Sequence, residues 1–429
     1  MSTDQNYDAQ ASSQNPIVPT IVSVDEFIRL HDELLGLPAL ATTPLLTRIA
    51  AVRALVMQHV KYNEDDDVWL SRPLRDTYRN VHEGNAADVN LLLVAALRAA
   101  HIDANPLLLS TRENGTIDTR FPRRGAYNYA LAHVQLADGQ DLLLDATDPS
   151  LPCGLVPGRC LNGIGRLLPP APKAARWVNL QPAQRLTHLR QLQLSLSSAG
   201  ELRGTMHEEY GGYAAARQRT ALAQQGEASY CRSLATEHSD WNLTSIAIGA
   251  RTEPEKPLAL DYQVATSVRS SPGGTHYLSP LAEFGLGHNP FTASTRRYPV
   301  DFGMAQEETQ LVTLRLPPGY VLATLPDPKI VDLPDNGGRF VCNASSADGV
   351  VQLSSRLVLP SLGPRNLMPS STRTCVSRIL LWPAACIHSH PHRSHRARMC
   401  QPRFRSCRTC ASRKTLLWRC GRQAPPPQR

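Results

Sequence analysis

One segment constrains the fold more than any other: "GNAADVNLLLVAALRAA", residues 84–100. Its apolar side chains recur at spacings of three and four residues, which predicts one continuous helical face, formed by Val89, Leu92, Leu93, Ala96, Leu97 and Ala100. Asn85 is a favourable N-cap, and Asp88 stands three positions later, where it can complete a capping box. The first helical residue is then Ala86, at a position where several hydrolase folds carry a nucleophile.

The elements around this helix follow an order typical of an α+β fold. Before it, "PLLTRIAAVRALVMQHV" predicts another helix, with Thr43 as N-cap and Pro44 as first helical residue. After it, "NPLLLSTRENG" predicts a strand that ends in a turn at Asn114. "AYNYALAHVQL" and "QDLLLDATDP" predict two strands joined at Asp138-Gly139. Helices that precede strands favour α+β over a doubly wound sheet.

The second half of the chain has the period-two pattern of β structure. Leu192, Leu194 and Leu196 alternate with polar residues, and "RFVCNASSADGVVQLSSRLVLP" predicts a hairpin around Asp348-Gly349. Between them, "GGYAAARQRTALAQQGEASYCRSLA" predicts one or two helices. We therefore expect a core at residues 40–170 and a mostly antiparallel β domain with a helical insertion at 185–360. The polar residues 1–18 are interpreted as a disordered leader.

The net charge of +8 comes entirely from the end of the chain. Of the 45 Lys and Arg residues, 14 lie in residues 361–429, a segment without Asp or Glu. All 37 acidic residues therefore precede residue 361, where 31 basic residues accompany them. The main part of the chain is mildly acidic, so the overall charge is no argument for nucleic-acid binding.

The segment 361–429 also changes in composition, to Arg, Pro, Ser, Cys and His without a sustained period. We interpret it as a disordered tail, and the abrupt change suggests translation in a shifted frame. A structural zinc site or a basic nucleic-acid arm are the alternatives. Cys407 and Cys410 have the spacing of a zinc-ligand pair, but a second such pair is missing, so no metal is expected.

Several other classes of protein find no support in the sequence. No apolar run approaches the 18 residues of a transmembrane helix, and the N-terminal residues lack the features of a secretory signal. Cys153, Cys160, Cys231 and Cys342 do not indicate a disulfide framework. The acidic run at 64–67 lacks the ligand spacing of a calcium loop and is interpreted as solvated. "NGIG" and "GLGHNPF" lack the strand–loop–helix context of a dinucleotide site, so no cofactor is expected.

The sequence from about Ile49 to Leu168 resembles the transglutaminase-like superfamily, whose core is shared with papain-like cysteine proteases. "GNAADVNLLLVAALRAAHIDANPLLLSTR" resembles the family's nucleophile helix and first core strand. "YNYALAHVQLADGQDLLLDATDPSLPCGLVPGRCLNG" resembles its histidine strand, hairpin and aspartate strand. "NPFTASTRRYPVDFG" and "PPGYVLATLP" resemble the β region that follows this core in large bacterial proteins. Those relatives usually carry a further β domain before the core, so we expect a chain that is incomplete at both ends.

The resemblance implies a Cys–His–Asp triad, two of whose positions are altered. In the Gly-x-Cys-x-Asp pattern the nucleophile position is Ala86, and in the aromatic-Asn-His pattern the base position is Tyr129. Only the third position, Asp145, matches. A methyl group cannot attack a carbonyl, and the members of a triad act as a unit, so we expect no triad catalysis. Asp145 can instead cap the turn that follows it.

Four other residues could in principle replace the lost groups. His133 lies on the same face of the strand as Tyr129, and His82 precedes the helix cap. Cys153 and Cys160 follow the aspartate strand in a Gly/Pro-rich loop. The simpler interpretation is that the histidines are satisfied polar groups and the cysteines are packing residues.

The sequence therefore predicts a catalytically inactive transglutaminase-like protein that acts as a binding or scaffolding module. A peptide or a glycan is the expected ligand, with Tyr127, Tyr129 and Asp145 as its contacts. The alternative is a cysteine-type amidohydrolase or protease-like enzyme with a relocated nucleophile, and a degraded gene product is a third interpretation. The chain as written would be cytoplasmic, whereas a truncated N-terminus would be compatible with the periplasm or cell envelope.

Overall fold

A computed structural model describes residues 44–182, 184–270, 275–278, 302–333, 337–360 and 385–389. The fold is a mixture of helices and strands in which strands predominate. The leader at 1–18 and the possible N-cap Thr43 lie outside the described residues. So do the "GLGHNPF" segment and most of the tail.

The first half contains two long helices and a five-stranded sheet. Helix α1 spans Leu45–His59, and the buried helix α3 spans Ala86–Ala99. The sheet has the order β5-β4-β3-β6-β7 and all of its pairs are antiparallel. Its strands are β3 (Ala104–Leu109), β4 (Tyr129–Gln135), β5 (Asp141–Leu144), β6 (Ile164–Leu167) and β7 (Arg176–Asn179).

Helix α3 begins with the predicted capping box. The Asn85 side chain accepts the Asp88 N–H at 2.9 Å, and the Asp88 carboxylate accepts the Asn85 N–H at 3.0 Å. Ser71 donates its N–H and its hydroxyl to the same carboxylate. Residues 86–97 are all buried, so the helix is enclosed on every side rather than along the predicted face. Strand β4 packs on one side of it and α1 on another.

Two short strands, a short helix and a π-helical turn connect α1 to α3. Strand β1 (Lys61–Tyr62) pairs in parallel with β2 (Glu83–Gly84), directly before the helix cap. Between them the chain forms helix α2 (Leu74–Asp76), which continues into a π-helical turn at Thr77–Val81. The pairing of β1 with β2 brings the acidic run at 64–67 to the N-terminus of α3.

The predicted hairpins are confirmed, and β6 and β7 are additional. Strands β4 and β5 turn through Asp138-Gly139, where Leu136 N–H bonds Gln140 O. Strands β6 and β7 extend the sheet to Asn179, beyond the expected boundary at residue 170. They are four residues long and contain Gly165 and three Arg or Trp side chains, so they carry little alternation by which to recognise them.

The second half forms an eight-stranded sheet of order β10-β11-β9-β8-β14-β18-β17-β16. It is antiparallel except where β8 pairs in parallel with β14. The strands are β8 (Leu186–Leu196), β9 (Glu201–Gly211), β10 (Asn242–Gly249), β11 (Leu258–Ser267), β14 (Gln306–Arg315), β16 (Lys329–Leu333), β17 (Gly338–Ala347) and β18 (Val350–Leu359). Asp348-Gly349 forms the predicted two-residue turn, with φ of 50° and 74°.

The helical insertion consists of two helices, α4 (Tyr213–Gln225) and α5 (Glu227–Glu237). They are separated by Gly226, whose φ of 75° favours glycine. Arg219 of α4 is 5% exposed and donates to the carbonyls of Ala250, Glu253, Pro254 and Lys256. One guanidinium thereby fixes the connection between β10 and β11.

One piece of the tail differs from the prediction. Ala385–Ser389 forms strand β19, which lies between β13 (Thr275–Leu278) and β15 (Tyr320–Thr324) in a four-stranded sheet completed by β12 (Arg269–Ser270). Pairing of this kind uses backbone groups, so a segment without a clear side-chain period can still join a sheet. The remainder of 361–429 lies outside the described residues.

The hydrophobic core is continuous between the two large sheets. One cluster of buried side chains includes Leu107, Tyr129 and Leu131 of the five-stranded sheet, together with Leu192 and Met206 of the eight-stranded sheet. A second cluster lies between α1, α3 and the other face of the smaller sheet. The start of α3 therefore lies next to apolar packing on both sides.

Gly84 leaves no room for a side chain beside the helix cap. A Cβ there would lie 2.5 Å from Asp88 Cβ. We expect Gly84→Ala to reduce the free energy of unfolding by about 1–3 kcal/mol, because the capping carboxylate must move. Gly125→Ala is the matched control, since no heavy atom lies within 4 Å of its added Cβ. Urea unfolding followed by circular dichroism measures both, and equal effects would contradict the steric argument.

Candidate functional site

Asp145 follows β5 directly and is enclosed by hydrogen-bond donors. Its Oδ2 accepts Asn90 Nδ2 and the Tyr129 hydroxyl, each at 2.7 Å. Its Oδ1 accepts the N–H of Thr147 at 2.8 Å and the Thr147 hydroxyl at 2.6 Å. The side chain is 0% exposed, and every bond fits an ionised carboxylate as acceptor. Asp145 also caps the turn after β5, as the sequence suggested.

Asn90 fixes the position of α3 against the two strands. Its Nδ2 donates to Ala130 O at 2.9 Å as well as to Asp145, and its Oδ1 accepts the Ala146 N–H at 2.8 Å. Because residues four apart share a helix face, Ala86 lies on the same side of α3 as Asn90. The helix start, β4 and the end of β5 are thereby brought together at one place.

Tyr129 opens β4 at the position where the resemblance implies a base. It is fully buried, and its hydroxyl lies 2.9 Å from Thr147 Oγ1 in addition to the bond with Asp145. Burial raises the pKa of Tyr129 well above 10, and the charge of Asp145 raises it further. The group is therefore a neutral phenol over the whole physiological range and acts here as a hydrogen-bond donor.

The N–H of Ala86 already has an acceptor. It donates to the backbone carbonyl of Asp65 at 3.0 Å, and the methyl side chain is 0% exposed. A free N–H at a helix N-terminus can stabilise an oxyanion, but one that is occupied by a carbonyl cannot do so until that carbonyl leaves.

A surface layer lies above this buried group. Arg159 Nη2 donates to the Tyr129 hydroxyl at 3.2 Å, and its Nε lies 3.3 Å from Asp66 Oδ1. The guanidinium carbon lies over the rings of Tyr62 and Tyr129, at 5.2 and 5.1 Å from their centroids. The Tyr62 hydroxyl donates to Asp66 at 2.5 Å. The acidic run, expected to be solvated, therefore contributes a half-buried carboxylate to the site.

A second arginine–aromatic pair lies farther along the same loop. Arg124 lies over the ring of Trp69 at 4.7 Å, and Trp69 is 36% exposed. The Trp69 carbonyl accepts Asn85 Nδ2, which ties this pair to the helix cap. Tyr127 follows the same turn as Arg124 and is half-buried. We call Tyr62, Trp69, Tyr127 and Arg159 the rim.

The predicted contact residues divide into two groups. Tyr129 and Asp145 are both 0% exposed, and we call them the floor beneath the rim. Their polar groups form hydrogen bonds with each other and with Asn90 and Thr147. Neither side chain is open to a ligand in this conformation. Tyr127 is the predicted contact residue that reaches the surface.

The two cysteines considered as relocated nucleophiles have unfavourable surroundings. Cys160 is 0% exposed, and burial raises its pKa well above 9, with the charge of Asp145 adding to this. Burial also raises the pKa of Cys153, to about 11. Since the thiolate is the nucleophile, both groups are held in their unreactive form at neutral pH. Among the described residues, no hydrogen bond joins either sulfur to an imidazole.

Of the two histidines, His133 is buried with one ring nitrogen paired, while its Nδ1 has no hydrogen-bond partner among the described residues, and His82 is exposed. His133 Nε2 lies 2.7 Å from Asp141 Oδ1, and Arg176 pairs with the same carboxylate. Burial lowers the pKa of His133, so its ring is neutral near pH 7. His82 is exposed, with a left-handed φ of 60°. Hydrogen bonding to Arg176 keeps the pKa of Asp141 at about 2, against the opposing effect of burial.

Reasoning from the sequence missed several contributors: Arg53, Asp66, Asn90, Thr147 and Arg159. Arg53 of α1 is 2% exposed and donates to the carbonyls of Asp145 and Asp148. Asn90 carried a signal, since it is a polar residue in an otherwise apolar run. Arg159 carried none, because its partners lie 12 to 97 positions away in the chain.

Within the described ranges, no group of three or more His, Cys, Asp or Glu side chains is arranged to hold a metal ion. No helix in the same ranges combines the length and the apolar character needed to cross a bilayer.

The family model of a domain of unknown function, DUF3858, matches residues 274–361. A crystal structure from Parabacteroides distasonis, described as a "putative protease", is similar with a TM-score of 0.45 and 12% sequence identity. The alignment covers 86% of this chain, which spans 58% of that protein. No curated protein matches. The chain is thus weakly similar in structure to that protein.

Removing the Tyr129 hydroxyl tests whether the buried hydrogen bonds of the floor stabilise the fold. Tyr129→Phe deprives buried Asp145 of one donor and Arg159 of one acceptor, so we expect a loss of about 1–3 kcal/mol in the free energy of unfolding. Tyr127→Phe is the matched control, because its half-buried hydroxyl makes no hydrogen bond within the described part of the chain. Chemical denaturation at pH 7 measures both, and a Tyr129→Phe protein as stable as the control would contradict the arrangement.

The ion pair between Asp141 and Arg176 predicts that the free energy of unfolding depends on pH. The carboxyl pKa is about 2 in the folded chain and about 3.9 when unfolded, so its contribution is complete above pH 4 and disappears as the pH falls towards 2. We expect the stability difference between the wild type and Asp141→Asn to shrink across that interval. Urea titrations at pH 5, 4, 3 and 2.5 measure it, and parallel curves would count against the pair.

Proposed function

We propose that this chain is a catalytically inactive transglutaminase-like protein whose rim binds a peptide or a glycan. The observation that carries the proposal is the closed arrangement at the start of α3. A methyl group stands at the nucleophile position, its N–H is bonded to Asp65, and a neutral phenol stands at the base position beside Asp145. Each of these groups would have to be different, or free, for thiol–imidazole chemistry.

The rim supports a binding role. Tyr62, Trp69 and Tyr127 present partly accessible aromatic faces, and Arg159 adds a charged group with fixed orientation. Aromatic side chains give contact area at small cost in conformational entropy, and arginine offers several donors, which is why both are frequent where proteins bind ligands. The floor below is satisfied internally, so it serves as a rigid support.

The alternative, an amidohydrolase or protease-like enzyme with a relocated cysteine, is less well supported. It needs a thiolate beside a base at a place that substrate can reach. Cys160 is enclosed and protonated, and Cys153 has Glu255 as its neighbour, with its N–H donated to that carboxylate at 2.8 Å. No observation on either thiol favours catalysis.

A turnover assay on the full chain tests the absence of catalysis. The protein is incubated with glutamine- and amide-containing peptides plus an amine donor, and mass spectrometry follows ammonia release, cleavage and cross-linking. We expect no turnover, because neither a reactive thiolate nor a general base is present at the site. A thiol-alkylated sample is the control. Turnover that alkylation abolishes would refute the proposal and support the alternative.

A binding screen tests the second half of the proposal. We expect a peptide or glycan from a mixed panel to bind, and Trp69→Ala to weaken that binding by about tenfold, because one stacking ring is worth about 1–3 kcal/mol. Ile330→Ala, which removes an exposed apolar side chain from β16, is the control and should leave the affinity unchanged. Isothermal titration calorimetry measures both. Equal affinities would remove the rim as the binding surface.

A further inference from the structure

Arg159 has the geometry of a preorganised binding group. Its guanidinium carbon lies within 5.2 Å of the ring centroids of both Tyr62 and Tyr129, and 34% of its side chain is exposed. These two cation–π contacts and the hydrogen bonds of Nε and Nη2 restrict the orientation of the guanidinium before any ligand arrives. Nε and Nη2 make the hydrogen bonds described above, whereas Nη1 donates to no acceptor within the described residues.

The two carboxylates near Arg159 have different roles. Asp145 is enclosed and accepts bonds from Asn90, Tyr129 and Thr147, so it is not available for exchange. Asp66 is 24% exposed and lies 3.3 Å from Nε through a single oxygen. Solvent reaches both partners, and ion pairs at such partly exposed positions contribute little to stability, so a competing carboxylate can displace Asp66 from Arg159 at small cost.

Asp66 lies on a loop whose backbone is fixed at both ends and also next to Asp66, where the Asp65 carbonyl accepts the Ala86 N–H. Strand pairing between β1 and β2 fixes the residues before it, and the Asn85 bond to the Trp69 carbonyl fixes those after it. Between these points, Glu64 and Asp65 are exposed. The hydrogen bonds of Asp66 described above are made by its side chain, so rotation of that side chain releases Arg159 without breaking the backbone bonds at the helix cap.

We propose that Arg159 binds a carboxylate of an acidic peptide, and that Asp66 occupies this group when no ligand is present. The inference rests on the proposed function, since it names the ligand class of the same rim. A peptide is favoured over a free acid because Tyr62 and Trp69 lie at opposite ends of the loop, where they can contact residues on both sides of the acidic one. In this arrangement, Asp66 acts as an internal competitor.

Fluorescence anisotropy on the full chain tests the proposal with a labelled peptide, Gly-Tyr-Asp-Asp-Tyr-Gly, and its Asn-Asn counterpart. We expect the acidic peptide to bind more tightly than the amide peptide, and increasingly so at low salt. Asp66→Asn should tighten its binding by about threefold or more, and Arg159→Gln should weaken it by about tenfold, because one removes the competitor and the other removes the cation. Asp118→Asn alters an exposed Asp–Arg pair elsewhere and should change nothing.

Tyr62→Phe is the second variant, in case Asp66→Asn folds poorly. It keeps the stacking ring but removes the hydroxyl that holds Asp66, so binding of the acidic peptide should tighten. Equal binding of the two peptides, no binding, or unchanged affinity in both variants would overturn the inference. A neutral ligand that depends on Trp69 but not on Arg159 would overturn it while leaving the proposed function intact. Thiol-dependent turnover would refute the proposed function itself.

Discussion

The side-chain amide of Asn90 is the interaction on which the arrangement of the first half depends. Its three hydrogen bonds join the middle of a buried helix to a strand carbonyl, a strand-end N–H and the Asp145 carboxylate. A buried amide that is fully paired contributes to stability, whereas one that loses a partner is costly. Helix α3 is therefore fixed in rotation and in translation along its axis, and Ala86, Tyr129 and Asp145 meet as a consequence.

Charge at the site is arranged in layers. The buried Asp145 is balanced by neutral donors, and the cation of Arg159 is placed farther out, next to Asp66. Elsewhere in the chain, the buried carboxylate of Glu208 is paired with a cation. Burial alone would raise the pKa of Glu208, but hydrogen bonding from His188 and the charge of Arg190 lower it below its ordinary range. At that place the cation touches the carboxylate directly.

Much of the fold could be predicted from the sequence because its signals are local. The capping box, the hairpin at Asp138-Gly139 and the turn at Asp348-Gly349 each depend on a few neighbouring residues. The parallel pairing of β8 with β14 and the strand at 385–389 could not be predicted in the same way. They depend on contacts between distant segments, and nothing in their own residues specifies the partner.

The site shows the same division. Local sequence motifs locate Ala86, Tyr129 and Asp145. A hydrogen bond joins the side chains of Tyr129 and Asp145 in the structure. The rim could not be derived from local sequence, because Arg159 meets Tyr62 and Arg124 meets Trp69 only through the path of the folded chain. The prediction that Asp66 is solvated was wrong for a related reason. A run of acidic residues usually indicates solvent exposure, but the carboxylate of Asp66 pairs with Arg159, which is distant in the sequence.

The shared core has a consequence for how the chain can be divided. One apolar cluster joins residues of the five-stranded sheet to residues of the eight-stranded sheet. A cut in the linker between β7 and β8 would leave each fragment with an uncovered apolar face, and exposed faces of that kind promote self-association. The change in sequence pattern near residue 185 therefore separates two sheets but not two independent hydrophobic cores. Expression of either half alone would favour aggregates over a soluble domain.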